Sequence, residues 1–187
     1  RHISQSYKFD QFTHGFVEIL AAEQTLSDSS WYQGTADAVR QHLAHFLNHR
    51  FDYFLILSGD QLYNINFREV ITQHVETKAE LTVATIPVQR ESAPDFGIMK
   101  ISDDNRITEF VEKPKEEDVI DSLRMPTVTK EQIGAAVKDD LYLASMGIYV
   151  FNRDVLVQLL DNDLTDFGKH IIPLALEKLR AYSYVYQ

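Results

Sequence analysis

The chain has 187 residues, with 18 lysines and arginines against 28 aspartates and glutamates, and a formal net charge of -10. Its length suits one domain, and 44% hydrophobic with 25% charged residues is the balance of a globular chain that can bury a core. The acidity argues against a nucleic-acid face, and the lack of cysteine excludes disulfides, Cys-ligated zinc, iron–sulfur clusters and thiol nucleophiles. No apolar run approaches the roughly 20 residues that a membrane span needs.

Residues 16–21 read as a strand, followed by a polar loop up to the single tryptophan, Trp31. Ala36, Val39, Leu43, Phe46 and Leu47 then recur on one helical face. Thr35 is the expected N-cap, and Asp37 suits the positive first turn. Residues 53–57, Tyr-Phe-Leu-Ile-Leu, are an unbroken apolar run of the kind found in strands buried on both faces. A second helix is expected over 67–77, with Val70, Ile71, His74 and Val75 facing inward. Residues 81–86 form the next strand. Strand–helix–strand–helix alternation predicts an α/β fold: a doubly wound, mostly parallel sheet with helices on both faces. Residues 98–101 and 107–111, parted by a polar turn at 103–105, read as an inserted β-hairpin. The charged stretch 115–140 suits a surface excursion with one or two short helices. The sheet resumes at 141–151, and Asn152 can cap a helix carrying Val155, Leu156, Leu159 and Leu160. Pro173 belongs in the first turn of a last helix reaching about 179. Residues 182–186 read as a strand.

Several short segments look chemical. Asp60 ends a buried strand after Ser58 and Gly59, where open α/β sheets place their ligands, and a carboxylate there can reach a hard cation. It can equally be a turn residue capping the next helix. Asp166, in Asp-Phe-Gly, is a second carboxylate, with helix N-capping as its plainer role. Glu112-Lys113-Pro114 closes the hairpin. The proline is expected to hold Lys113 extended, where it can serve a phosphate as a point charge, with Glu112 free to accept sugar hydroxyls. A solvated charge pair is the simpler reading. Gly34 and Gly97 allow close backbone approach to a ligand, and Trp31 and Tyr32 offer stacking surface. His42 and His45 are expected on a solvated helix face. The two Asp-Phe-Gly tripeptides do not make a kinase, because no Gly-rich loop, His-Arg-Asp or Ala-Pro-Glu accompanies them. No Gly-x-Gly-x-x-Gly supports a dehydrogenase.

Taken in order, Trp31–Val39, Ser58–Asp60, Phe96–Met99, Phe110–Pro114, Ser145–Phe151 and Asp166–Gly168 resemble the motifs of the sugar nucleotidyltransferase family. The match is closest to its ADP-glucose-forming branch, and Arg1-His2-Ile3 fits the segment near that family's start. The resemblance implies a catalytic domain over 1–187 that joins ATP and glucose 1-phosphate with Mg2+, releasing pyrophosphate. It implies that Asp60 and Asp166 hold the metal, and that Lys113 binds the sugar phosphate. Glu112, Ser145 and the Gly97 backbone would hold the glucose, with Tyr32 and Gly34 on the nucleotide side. Gln61 stands where many members have His. The resemblance further implies a cytoplasmic homotetramer with no nucleic-acid or membrane partner. The family's Gly-rich triphosphate loop and its β-helix domain are expected to flank this chain, which by itself is expected to be inactive. A relative using UTP, dTTP or GTP, or a regulatory copy of the same fold, remains open.

Overall fold

The computed structural model describes residues 15–20, 31–59, 64–136 and 138–186. Asp60, Gln61 and Arg1-His2-Ile3 lie outside the described residues. Helices α1 (Thr35–Gln41) and α2 (Leu43–Leu47) precede strand β1 (Tyr53–Leu57), and α3 (Phe67–Glu76) precedes β2 (Leu81–Gln89). A 3-10 turn (Arg90–Asp95) opens the hairpin of β3 (Gly97–Ile101) and β4 (Ile107–Glu112). The excursion holds α4 (Glu117–Ser122) and α5 (Thr127–Gln132), followed by β5 (Leu141–Asn152) and α6 (Arg153–Leu159). A π-helical turn (Phe167–Ile171) runs into α7 (Ile172–Leu176), and β6 (Ala181–Val185) ends the described chain's regular structure.

The strands form one mixed six-stranded sheet in the order β4-β3-β5-β2-β6, with β1 also on β5. Strand β5 is its axis. One edge of β5 carries β1 along Ile148–Asn152 and then β3 at Leu143 and Ala144, while the other edge carries β2. All three pairings are antiparallel, as is β3 with β4, and β2 with β6 is the parallel pair. The α/β class with an inserted hairpin holds, but the mostly parallel sheet does not. Strands β1, β2 and β6 do share a direction, yet β5 passes between β1 and β2 against them. An apolar run reports burial and is silent on direction, so sequence pattern could not show this.

The packing follows the apolar periodicities. Leu81, Val83, Leu143 and Phe151 on the sheet meet Leu156, Leu159, Phe167, Ile171 and Ile172 in one core. A second cluster of Ala93, Ile98, Ile120, Leu123, Tyr142 and Ala144 seats the excursion. Arg90 ties that excursion to the sheet through Glu117, at 2.5 Å, and Asp121. Among the described residues no helix is long and apolar enough to cross a membrane.

Several local expectations change. Residues 15–20 form no regular element, and Phe16 lies over the His49 ring at 4.6 Å instead of alternating into a sheet. The helix expected through 36–47 breaks at His42, whose backbone leaves the helix at φ -103, ψ 5. Gly34, not Thr35, occupies the cap position of α1, while Asp37 does sit in the first turn. Strand β1 is exposed at both ends, because among the described residues β5 is the strand that pairs with it. Val75 is 50% exposed, although Val70 and His74 face inward as expected. Pro173 does fall in the first turn of α7.

Asn152 stands at the cap of α6 but makes no capping bond with its side chain. Its Oδ1 lies 2.9 Å from His74 Nε2, and His74 Nδ1 lies 2.7 Å from the Thr82 hydroxyl. An amide oxygen only accepts, so Nε2 carries the proton and Nδ1 accepts from Thr82. This suits a neutral ring that pins α3 to β2 and β5. Burial lowers the His74 pKa, and the Asn152 bond offsets part of that. The folded protein therefore binds fewer protons at this site than the unfolded chain does. The stability linked to His74 is complete above about pH 6.5 and is lost as pH falls from there through the depressed folded value. Urea unfolding of the wild type should weaken from about pH 8 to about pH 5.5 more steeply than that of His74→Gln. At about pH 8 that variant should itself lose about 1–3 kcal/mol. Equal pH slopes would show that His74 is not held neutral.

Candidate active site

The hairpin end is built around one carboxylate. Strand β4 delivers Glu112 opposite Gly97 on β3. A Cβ at Gly97 would lie 2.7 Å from Glu112 Oε2 and 2.4 Å from the Phe110 ring. A Cβ at Gly168 would lie 2.9 Å from the same Oε2 and 3.5 Å from Asp166 Oδ1. The Glu112 carboxylate thus fits between two glycine backbones that lie far apart in sequence. Burial pushes its pKa up and the Asp166 charge adds to the push, while Lys113 and Lys169 pull it down. Two carboxylates and two ammonium groups therefore share one field.

Lys113 is not extended. Its φ is +49, the left-handed region, and its N–H donates to the Phe96 carbonyl at 3.0 Å. The buried Pro114 follows. A non-glycine residue held there is uncommon and costs of order 1–3 kcal/mol, so the surrounding contacts impose the geometry. The proline excludes the ordinary helical conformation, and the Phe96 bond turns the chain the other way.

Asp166 does cap. Its Oδ1 accepts from Lys169 N at 2.9 Å at the start of the π-helical turn. Its loop is fastened to α1: Thr165 O accepts from Ala36 N at 2.9 Å and Asp37 N at 3.2 Å, and Phe167 N donates to Thr35 Oγ1 at 3.2 Å. Gly34 makes this possible, since a Cβ there would stand 2.4 Å from Thr165 O. The Tyr32 hydroxyl, just ahead, lies 2.5 Å from His42 Nε2, and Trp31 is 74% exposed. The histidine face is thus not simply solvated: His42 meets Tyr32, and His45 lies 2.8 Å from Glu18.

Strand β5 carries the third part. Between the pairs Val83↔Tyr149 and Thr85↔Ser145 the ladder slips, so Met146, Gly147 and Ile148 bulge. Gly147 takes φ +67, and its N–H reaches the Ser145 hydroxyl oxygen at 3.3 Å. Its carbonyl accepts from Ser58 N at 3.0 Å, bringing the end of β1 against the bulge. Bulges of this kind turn side chains toward sites at sheet ends. The Tyr149 ring stacks on Phe167 at 5.6 Å and so joins this strand to the Asp166 loop.

A family model described as nucleotidyl transferase matches residues 1–187. The chain belongs to the nucleotidyl transferase family. Nucleotidyl transfer is therefore its activity class, and the mixed sheet with flanking helices agrees with the family's fold.

Within this nucleotidyl transferase domain, Glu112, Lys113, Gly97 and Asp166 come together and Gly34 joins them through Thr165, while Tyr32 is turned to His42. Ser145 meets Gly147 in the bulge, against which Ser58 also lies, and is not brought onto Glu112 or Asp166 by these bonds. Sequence reasoning missed Lys169, although its place three residues after Asp166 on a helical turn was a usable signal. It also missed Arg40, whose partners lie about 120 positions away. Among the described residues no group of three His, Asp or Glu side chains could hold a metal. Mg2+ takes one or two carboxylates beside substrate phosphates, so a pair of aspartates suits it by donor type. An open hollow of about 810 Å3 lies at the other end of β1, near His49, Arg50 and Asp52. It holds none of these site residues, and its Arg153 is engaged by Asp154 at 2.9 Å.

Two glycine substitutions test the loop attachment. Gly34→Ala places a methyl against a backbone carbonyl that cannot swing aside, and should cost about 1–3 kcal/mol in urea unfolding. Gly59→Ala meets nothing within 4 Å and should change stability by less than about 0.5 kcal/mol. Equal effects would mean that the α1 and Asp166 segments are not in contact.

Proposed function

We propose that residues 1–187 are the catalytic domain of a glucose-1-phosphate adenylyltransferase, which makes ADP-glucose and pyrophosphate from ATP and glucose 1-phosphate. The observation that carries this reading is the Glu112 carboxylate lodged between Gly97 and Gly168, with Lys113, Lys169 and Asp166 around it. A fixed carboxylate accepts hydrogen bonds from sugar hydroxyls, and an adjacent ammonium answers a phosphate. Together they suit a sugar phosphate. The Trp31–Asp37 stretch, fastened to the same loop, supplies the nucleotide side through Tyr32 and Gly34. Its Gly-Thr-Ala-Asp-Ala sequence resembles that of the ATP-using members of the family, which supports ATP as the nucleotide.

In this reading a phosphate oxygen of glucose 1-phosphate attacks the α-phosphorus of ATP. The new P–O bond forms as the α–β bond breaks, and pyrophosphate leaves with the electron pair. No proton need move, so the protein's work is alignment and charge compensation. Lys113 holds the attacking phosphate, and Glu112, Ser145 and the Gly97 backbone hold the glucose. Asp60 and Asp166 would hold Mg2+, which supplies positive charge at the reacting phosphates. The same reading takes the enzyme as a cytoplasmic homotetramer.

Steady-state kinetics of the full-length enzyme with a nucleotide panel tests the assignment. Lys113→Ala should raise the KM for glucose 1-phosphate by roughly 10- to 150-fold and leave that for ATP near its original value. A rise for ATP alone would put Lys113 on the wrong substrate, and a preference for UTP, dTTP or GTP would change the nucleotide.

In the full-length enzyme, Asp60→Asn should lower turnover by at least about 100-fold with an unchanged circular dichroism spectrum. Asp166→Asn should shift the Mg2+ dependence of the rate. If it shifts only the sugar-phosphate KM, Asp166 serves the sugar and not the metal.

A further inference from the structure

We propose that Arg40 is a positioning residue that locks the nucleotide-side segment to the Asp166 loop, so that both halves of the site are set as one unit. This rests on the reading above and deepens it. The guanidinium of Arg40 spans two segments. Its Nε donates to the Leu160 carbonyl at 2.9 Å, and its Nη2 donates to the Leu164 carbonyl and to Asn162 Oδ1 at 3.4 Å. On its own helix, Nη1 donates to Asp37 Oδ1 at 3.2 Å. Asp37 Oδ2 accepts in turn from Gln33 N and Gln41 Nε2, each at 2.9 Å. The fork therefore holds the chain just before Asp166 with one side and the start of α1 with the other.

The loop is wound so that these acceptors face Arg40. Asn162 Oδ1 also accepts from Leu164 N at 2.9 Å, and Asn162 Nδ2 donates to Leu159 O at 2.6 Å. The Arg40 and Asp37 side chains are largely covered, at 21% and 14% exposure. A shielded clamp of this kind resists solvent competition, which exposed ion pairs do not. The bonds from Ala36, Asp37 and Phe167 continue the same seam up to Asp166 itself. Arg40 touches no substrate in this account. It acts through the loop, by fixing where Asp166, Phe167 and Gly168 stand against Glu112. A lysine could not do this, because one ammonium on a flexible stem cannot replace a planar fork with donors in several directions.

The test compares purified full-length wild type with Arg40→Lys by hydrogen exchange over 160–168 and by calorimetric titration of glucose 1-phosphate. His74→Gln, which loosens the far end of the sheet, serves as the control. Arg40→Lys should speed exchange in 160–168 and weaken sugar-phosphate binding about 10-fold, since small misplacements at a site are costly. His74→Gln should change neither. Should Arg40→Lys not fold, Asn162→Ala removes one of the clamp's acceptors and carries the same comparison. Wild-type affinity and exchange in the variant, or equal changes in His74→Gln, would overturn the positioning role. A wild type that binds no sugar phosphate would overturn the proposed function, and this inference with it.

Discussion

Strand β5 is the constraint on which the rest of the structure depends. It is 12 residues long and pairs with three other strands, β1 and β3 along one edge and β2 along the other. Backbone polar groups in a sheet interior must find partners, so a strand with both edges filled cannot move without breaking several ladders. The bulge at Met146, Gly147 and Ile148 is the one interruption in its pairing with β2. It lies where the end of β1 arrives at Ser58, so the least regular part of the central strand meets the Ser58-Gly59 turn. The site is thus framed by a rigid element that is locally deformed.

On that frame the chemistry depends on close approach. Glu112 reaches its position because Gly97 and Gly168 have no side chains to exclude it. Half-buried and next to Asp166, its carboxylate would be costly to charge without compensation, and Lys113 and Lys169 provide it. The same ammonium groups would face a phosphate. In a chain with a net charge of -10, these two ammonium groups offset the two carboxylates, so the place proposed for an anionic sugar phosphate is locally balanced rather than acidic. Lys113 is held in a left-handed backbone conformation between the Phe96 bond and Pro114, so the placement of its charge does not rest on a flexible side chain alone.

The Asp166 loop is where separate parts of the chain meet. Backbone bonds fasten it to α1, Phe167 stacks on Tyr149 of β5, and Gly168 lies against Glu112 of β4. Small displacements of this loop would reach every part of the site together. That arrangement suits a reaction whose barrier is lowered by alignment and charge rather than by covalent steps.

The sequence by itself determined the α/β class, the hairpin, a surface excursion carrying short helices, the first-turn place of Pro173 and the family. It also brought Gly97, Glu112, Lys113 and Asp166 to notice before any of them was known to be near another. These features are local: apolar periodicity, turn residues and ordered motifs are written within a few positions of one another. Strand direction, the clamp of Arg40 and the pairing of Glu112 with Gly168 were decided by tertiary structure. Each depends on partners dozens of residues away, and periodicity carries no term for them. The same holds for local roles that long-range contacts overrode. Asn152 gave up its cap for His74, Thr35 turned its hydroxyl to Phe167, and Lys113 left the extended conformation that a following proline favours. In each case a neighbour brought by the fold offered a hydrogen bond that competed with the local preference; one such bond can outweigh a capping or helical propensity of about 1 kcal/mol or less, while the left-handed Lys113 also needs the contacts around it.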